Sequence, residues 1–204
     1  MNILAFHGSP RIGGNTDILL DAFVKGAKDE GASVEKISLM SRRITPCIEC
    51  GQCDETGVCV LEDDMTPIYD QIKESDIVVV ASPIFFYNIT AYTQALVERS
   101  QACWIEKYVL KKGPFGGRER KGFFLSLGAT KGKMLFDGVL RVMKYFFDAI
   151  SAEFEGALLY RGIEKKGEVK KHPTALEDAE KLGSLIARGE DLSSFHPLYV
   201  PGKN

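Results

Sequence analysis

The chain has 204 residues, 45% of them hydrophobic and 26% charged, which is the usage of a globular domain able to bury a full core without disulfides or metals. Twenty-six Lys and Arg against 28 Asp and Glu leave a net charge of −2, so bulk charge gives no support to nucleic-acid binding. No apolar run approaches the roughly 18 residues of a membrane span. The opening MNILAFHGSPR also lacks the basic start and long apolar stretch of a signal peptide, so the expected location is the cytoplasm.

The first predicted element, Ile3 to His7, is a short apolar run that ends in a Gly-Ser-Pro-Arg turn, as a buried strand does. Ile18, Leu19, Ala22, Phe23 and Ala27 then recur at helical spacing across 16–30, and Gly31 closes that helix. A second strand is predicted over 34–39. Residues 40–64 show no periodicity and hold four of the five cysteines. A short helix over 65–74 carries Pro67 near its first turn. Ile77 to Ala81 is a β-branched run of the kind buried on both faces. An aromatic loop at 83–90 leads into a helix over 91–104, and the Lys/Arg/Gly-rich stretch 105–119 reads as a connection. A strand at 122–127, a Gly-rich loop, an apolar helix over 134–150, a strand at 153–160 and a helix over 173–188 complete the alternation.

Residues 1–190 are therefore expected to form one domain, with 40–64 inserted and 191–204 as a tail. Five strands alternating with five helices imply a parallel sheet with right-handed crossovers and helices on both faces. Such sheets bind ligands beyond the carboxyl ends of their strands, which points to loops 8–16, 82–90 and 128–133.

The first of these loops, Gly8 to Thr16, lacks both GxGxxG and GxxxxGK[ST]. The stretch Gly128-Ala129-Thr130-Lys131-Gly132-Lys133-Met134 is one residue short of a nucleoside-triphosphate loop and has Met where Ser or Thr is required. What remains is a Ser/Gly/Asn/Thr-rich turn opening a helix, whose free N–H groups and dipole suit a phosphate monoester, with Arg11 as a charged partner. The plainer reading is a strand–helix turn capped by Asn15 or Thr16. Phe85, Phe86 and Tyr87, directly after Ser82-Pro83 at a predicted strand end, offer flat walls for a ring system. Asn88 and the backbone of 128–130 offer polar contacts.

Gly8-Ser9-Pro10-Arg11 with Gly14-Asn15-Thr16 resembles the phosphate loop of flavodoxin-like NAD(P)H-dependent FMN reductases. Ser82-Pro83-Ile84-Phe85-Phe86-Tyr87-Asn88-Ile89 resembles their second flavin loop, with Phe85 where relatives often carry Tyr, and Gly128-Ala129-Thr130 resembles the third. The resemblance covers about residues 1–160. It implies a three-layer α/β/α sandwich with strand order 2-1-3-4-5 and FMN as cofactor. The residues expected to bind FMN are Ser9, Pro10, Arg11, Gly14, Asn15 and Thr16, then Pro83, Ile84, Phe85, Phe86, Asn88 and Ile89, then Gly128, Ala129 and Thr130.

The cysteines are spaced Cys47-x2-Cys50-x2-Cys53-x5-Cys59. Compact runs at intervals of three are typical of four-iron clusters, whereas zinc usually takes two separated pairs. A [4Fe–4S] cluster on Cys47, Cys50, Cys53 and Cys59 is expected, with zinc, thiol–disulfide chemistry or inert thiols as alternatives. Combined with the flavin loops, the insertion resembles the iron–sulfur flavoproteins of anaerobic microbes. That resemblance implies electron transfer between a two-electron flavin and a one-electron cluster, with NAD(P)H or a ferredoxin as donor. It also implies a homo-oligomer, dimer or tetramer. Trp104, Tyr108 and the tail 195–199 are candidate subunit contacts.

Other residues have plainer expectations. His7 reads as a hydrogen-bonded structural histidine and Cys103 as a packed hydrophobe. Asp63 and Asp64 read as helix-start charges, and Lys107, Lys111, Lys112, Arg118, Arg120 and Lys121 as a solvated basic loop. No residue is assigned a catalytic role.

Overall fold

The computed structural model describes residues 1–202. Five strands, β1 (Asn2–His7), β2 (Ser33–Ser38), β3 (Ile77–Pro83), β4 (Arg120–Gly128) and β5 (Ala152–Arg161), form one parallel sheet in the order β2-β1-β3-β4-β5. The helices are α1 (Asn15–Asp29), α2 (Cys53–Thr56), α3 (Met65–Glu74), α4 (Ala91–Arg99), α5 (Gln101–Trp104), α6 (Asp137–Ala149) and α7 (Ala175–Ala187). This is the flavodoxin-like sandwich expected from the alternation and the loops.

Strand side chains point alternately to opposite faces, and the chain uses this to divide its core in two. Ile3, Ala5, Ile77, Val79 and Ala81 pack with α1 and α7 on one face. Leu4, Phe6, Val78 and Val80 pack with α3, α4 and α6 on the other. Helices α1 and α7 approach closely because Gly26 and Gly183 lie where they meet: a Cβ would come within 1.9 Å of Glu180 O and 2.1 Å of Phe23 O.

Several boundaries differ from the sequence expectation. After α5 the chain continues through a π-helical turn, Ile105–Val109, rather than entering a loop. The basic stretch is solvated at Lys111, Lys112, Arg118 and Lys121, but not at Arg120. Arg120 is 3% exposed and donates to the carbonyls of Ile72, Lys73, Arg118 and Ile150. Lys107 pairs with Asp148, Arg118 with Asp76 and Lys121 with Glu155.

Residues 191–202 return to the domain. Phe195 and Leu198 are buried, and Tyr199 exchanges both backbone hydrogen bonds with Ala157 on β5, each 2.9 Å. These tail residues pack on their own sheet. Among the described residues no helix is long and apolar enough to cross a membrane.

Candidate functional site

β1 ends at His7, and the chain turns at Gly8 between β3 and the start of α4. The Gly8 N–H donates to Ala81 O at 2.8 Å, and its carbonyl accepts from Thr90 Oγ1 at 2.5 Å. A Cβ on Gly8 would lie 1.9 Å from Thr93 Oγ1, so the approach requires glycine. Beyond it Ser9 Oγ accepts from the Arg11 N–H, and Arg11 O accepts from the Gly14 N–H.

Gly14 caps α1 without a side-chain bond, so neither Asn15 nor Thr16 is the cap. Asn15 instead donates through Nδ2 to Lys165 O (2.9 Å) and accepts at Oδ1 from the Val169 N–H (3.2 Å). Both arms of its side chain thus tie α1 to the segment after β5. Its own N–H and that of Thr16 have no partner among the described residues, as at an open helix start.

Beneath the loop, Asp17 accepts from the Gly13 N–H at 2.7 Å and pairs with Lys36. Burial alone would raise the Asp17 carboxyl, but Lys36, the Gly13 N–H and His7 carry it below its ordinary value. His7 is 1% exposed, with Nε2 3.7 Å from Asp17 Oδ1 and no hydrogen-bond partner among the described residues. Burial pulls the His7 pKa down and outweighs the opposing field of Asp17. His7 is buried, but its Nε2 lacks the hydrogen bond expected of a structural histidine.

The three strand-end loops meet around a cavity of about 220 Å³. It brings together Ser9, Arg11, Asn15 and Thr16, then Pro83, Ile84 and Phe85, then Gly128 and Ala129. Pro10, Gly14, Phe86, Asn88, Ile89 and Thr130 are not in its wall. Phe86 differs most from expectation. Phe86 (φ 50°) and Tyr87 (φ 62°) form a tight turn between Phe85 and Asn88, which exchange hydrogen bonds of 2.8 and 2.9 Å. Two successive left-handed residues are the signature of a type I′ turn, and this one leaves Phe86 fully exposed. Of the three aromatics, only Phe85 faces the cavity. Asn88 turns its Oδ1 to the Ile89 N–H, and Ile89 is in the core.

Sequence reasoning missed the fourth wall. Ile163 and Glu164, just after β5, line the same cavity, and the side chain of Lys166 stands over Gly13 in the first loop. The strand-end rule also covers β5; its loop carries no motif and was passed over.

The cysteine segment lies at the other end of α4. Cys47, Cys50, Cys53 and Cys59 all line one cavity of about 700 Å³, with Glu98, Arg99 and Gln101 as part of its wall. Among the described residues no three His, Cys, Asp or Glu side chains converge as around a single metal ion. A tetrahedral zinc needs its sulfurs about 2.3 Å from one point, whereas a cubane takes its thiolates at separate corners of a larger body. The four thiols of the compact run share this one cavity, and thiolates are the donors of both iron–sulfur clusters and zinc. As a bare thiol, Cys53 is pushed up by burial, by the adjacent Asp54 carboxylate, and by Cys59 and Cys47. Cys103 is wholly buried outside the cavity, and burial pushes its thiol far up, as suits a packed hydrophobe.

Arg99 was not anticipated. It is 1% exposed and donates to Thr45 O (2.9 Å), Leu61 O (3.1 Å) and Asp63 Oδ2 (2.6 Å). Its own carbonyl accepts from Tyr69 OH at 2.7 Å. Its Nε is buried without a partner among the described residues. Burial opposes the Arg99 charge, but the Asp63 hydrogen bond and the fields of Tyr69, Cys59 and Asp63 outweigh it. Asp63 also accepts from the N–H groups of Thr45 and Met65, which with Arg99 hold its carboxyl below the ordinary range despite burial. It is more than the helix-start charge the sequence suggested. The signal was available: in Ala95, Leu96 and Arg99 the arginine occupies a position of the buried helix face.

The strand-end loops of this flavodoxin-like sheet converge on one cavity at the carboxyl ends of the strands, where such sheets bind their ligands. Residues 1–134 match the family described as NADPH-dependent FMN reductase, and the chain belongs to that family. It is 28% identical to an iron–sulfur flavoprotein of Methanocaldococcus jannaschii, over 92% of this chain and 96% of that one. It is 30% identical to an iron–sulfur flavoprotein of Methanosarcina thermophila, over 64% of this chain and 65% of that one. Among solved structures it resembles the NAD(P)H:quinone oxidoreductase of Methanothermobacter marburgensis, with a TM-score of 0.63 and 16% identity over 91% of this chain and 95% of that one.

Proposed function

We propose that this protein is an oxidoreductase that carries both FMN and a [4Fe–4S] cluster and relays electrons between them. The observation that carries this reading is the placement of two sites at the two ends of one helix. α4 begins under the Gly8 turn and ends against the cavity lined by all four cysteines of 47–59. It has nine residues, about 13 Å at 1.5 Å per residue. The iron–sulfur flavoprotein relatives support the same reading.

When bound, FMN exchanges one or two electrons and the cluster one, so together they couple a two-electron donor to a one-electron acceptor. The chain's own residues bind and orient. The free N–H groups of Asn15 and Thr16, with Arg11 and Lys166 nearby, suit the FMN phosphate. Ser9 and Gly14 shape the backbone there. Ile84, Phe85, Gly128 and Ala129 offer the flat and polar contacts for the remainder. The cavity of about 220 Å³ is below the ~300–1,000 Å³ of a full ligand pocket. A cavity of this size would enclose only part of FMN. Thr130, Asn88, Ile89 and Pro10 support this site from outside its wall. Exposed Phe86, Trp104 and Tyr108 suit a homo-oligomer, a dimer or tetramer.

The test is anaerobic purification with iron, sulfide and flavin quantified, followed by reduction with NADH, NADPH or reduced ferredoxin. About four iron and four sulfide per FMN, from the assumed cluster stoichiometry, is the expected result. Yellow protein that contains flavin but no iron after reconstitution, and is reduced rapidly by a nicotinamide, would leave an FMN or quinone reductase without a functional cluster.

A further inference from the structure

We infer that Arg99 is the positioning residue of the cysteine loop: it closes both ends of the loop on α4 and sets a fixed positive charge in the wall of the cluster cavity. The inference rests on the cluster reading above and adds a role for a residue outside the cysteine motif.

The loop has little structure of its own. Between Thr45 and Asp63 the one regular element is the single turn α2, and Cys50 is exposed. Four thiolates can meet one inorganic body only if the ends of this segment are held. One guanidinium holds them: Thr45 O lies two residues before Cys47, Leu61 O lies two residues after Cys59, and Asp63 follows. A planar fork with several donors can grip three acceptors from different strands of chain, which a single ammonium cannot do with the same geometry.

The second observation is the orphan. Leaving a buried donor of a charged group without a partner is costly, yet Arg99 Nε has none among the described residues and Arg99 forms part of the cysteine-lined wall. Asp63 neutralises the guanidinium on one side only. A cavity that receives four thiolates becomes anionic, and a buried cation in its wall then has a counter-charge that the bare protein does not supply. Adding an electron makes the cluster more negative, so a fixed cation nearby favours the reduced form and raises the potential.

The test uses anaerobically purified holoprotein and its Arg99→Gln, Arg99→Lys and Asp63→Asn variants. Each is titrated with dithionite and followed by electron paramagnetic resonance, with FMN content as the check on folding. Arg99→Gln is expected to weaken cluster reduction at least tenfold, a fall of 59 mV for one electron. Asp63→Asn, which removes the neutralising anion, is expected to shift the potential upward. Arg99→Lys is expected to keep the potential within threefold of wild type in equilibrium constant but to lose iron to a chelator several-fold faster. Opposite shifts on removing the cation and its anion are not produced by a merely structural role. If Arg99→Gln fails to retain FMN, the other two variants decide. A loaded wild-type protein whose variants shift in one direction, or not at all, overturns the inference alone. A wild-type protein that binds no iron and sulfide overturns the cluster reading and the inference with it.

Discussion

At the start of α4, Thr90 binds the carbonyl of Gly8 in a turn so close-fitting that only glycine is accommodated. At the other end, Arg99 reaches into a segment with almost no regular structure and binds it at three points. The first site is shaped by backbone: strand ends, a helix start and a close approach. The second is shaped by side chains, four of which are free thiols. A backbone-built site exists as soon as the sheet folds. The cysteine segment has an ion pair, Arg99 with Asp63, to hold its frame, and in the proposed reading an inorganic body would draw its thiols together. The two cofactors are therefore expected to be separable by mutation, although one helix joins their sites.

The largest effect belongs to the cysteines. Cys50→Ser removes a thiol that is exposed and supports no core packing, so on the proposed reading iron and sulfide are expected to fall to near zero while FMN stays near one per chain. Loss of both cofactors would show that the loop is structural and that the two ends are not independent. The reverse perturbation is Gly8→Ala. Its Cβ would lie 1.9 Å from Thr93 Oγ1, an overpacking of the kind that costs about 1–3 kcal/mol. FMN content and melting temperature are expected to drop, with the iron-to-chain ratio unchanged in the protein that folds.

Asn15→Ala tests the missed wall. It leaves the Val169 N–H and the Lys165 carbonyl without their partner. A buried unsatisfied group costs about 1–3 kcal/mol; Val169 is buried but Lys165 is exposed, so the lower half of that range is expected in a denaturant titration. FMN affinity is expected to fall with it, because Ile163 and Glu164 are carried on the released segment. Unchanged affinity would remove the segment after β5 from the flavin site.

These experiments also mark what could be read in the sequence. The sheet was legible because the β-branched run Ile77–Val80 is typical of a strand buried on both faces, and because 16–30 and 134–150 carry helical spacing. The loops were legible because Gly8, Pro83 and Gly128 stand at strand ends. Arg99 was legible only as an arginine on a buried helix face; what it holds was not, because beside Asp63 its partners are backbone carbonyls of a distant segment, and carbonyls carry no sequence signal. Arg120 failed for the same reason: a basic run looks solvated until its carbonyl acceptors are known. Phe86 failed because an aromatic residue next to a ligand loop looks like a wall until the turn that points it outward is seen.

His7 bears on the backbone-built end alone. Its pKa is lowered by burial from 6.5. The unfolded chain therefore takes up this proton first as pH falls. The contribution of neutral His7 to stability is full above pH 6.5 and declines below it, toward the depressed folded value. The slope is at most about 1.4 kcal/mol per pH unit for one proton. Asp17 is also lowered, but from 3.8, so its own loss falls in a more acidic window. Melting temperature followed from pH 7 to 5 is expected to decline in the wild type and to be flatter in His7→Gln. Parallel curves would show that His7 is not the group responsible.

The smallest effect is at the tip of the second loop, and its sign is opposite to the rest. Phe86 adopts φ 50° while fully exposed, so it bears the cost of a left-handed backbone without repayment in burial. Asn accepts that conformation more readily because its short polar side chain bonds locally. Phe86→Asn is therefore expected to stabilise the isolated protomer by about 0.5–1 kcal/mol, with FMN content unchanged since Phe86 is outside the cavity wall. The measurement is a denaturant titration at low and high protein concentration. Stabilisation at both would make the strained aromatic a tolerated defect. Stabilisation at low concentration, with loss of a larger species at high concentration, would mean that a second chain offsets the strain of this turn.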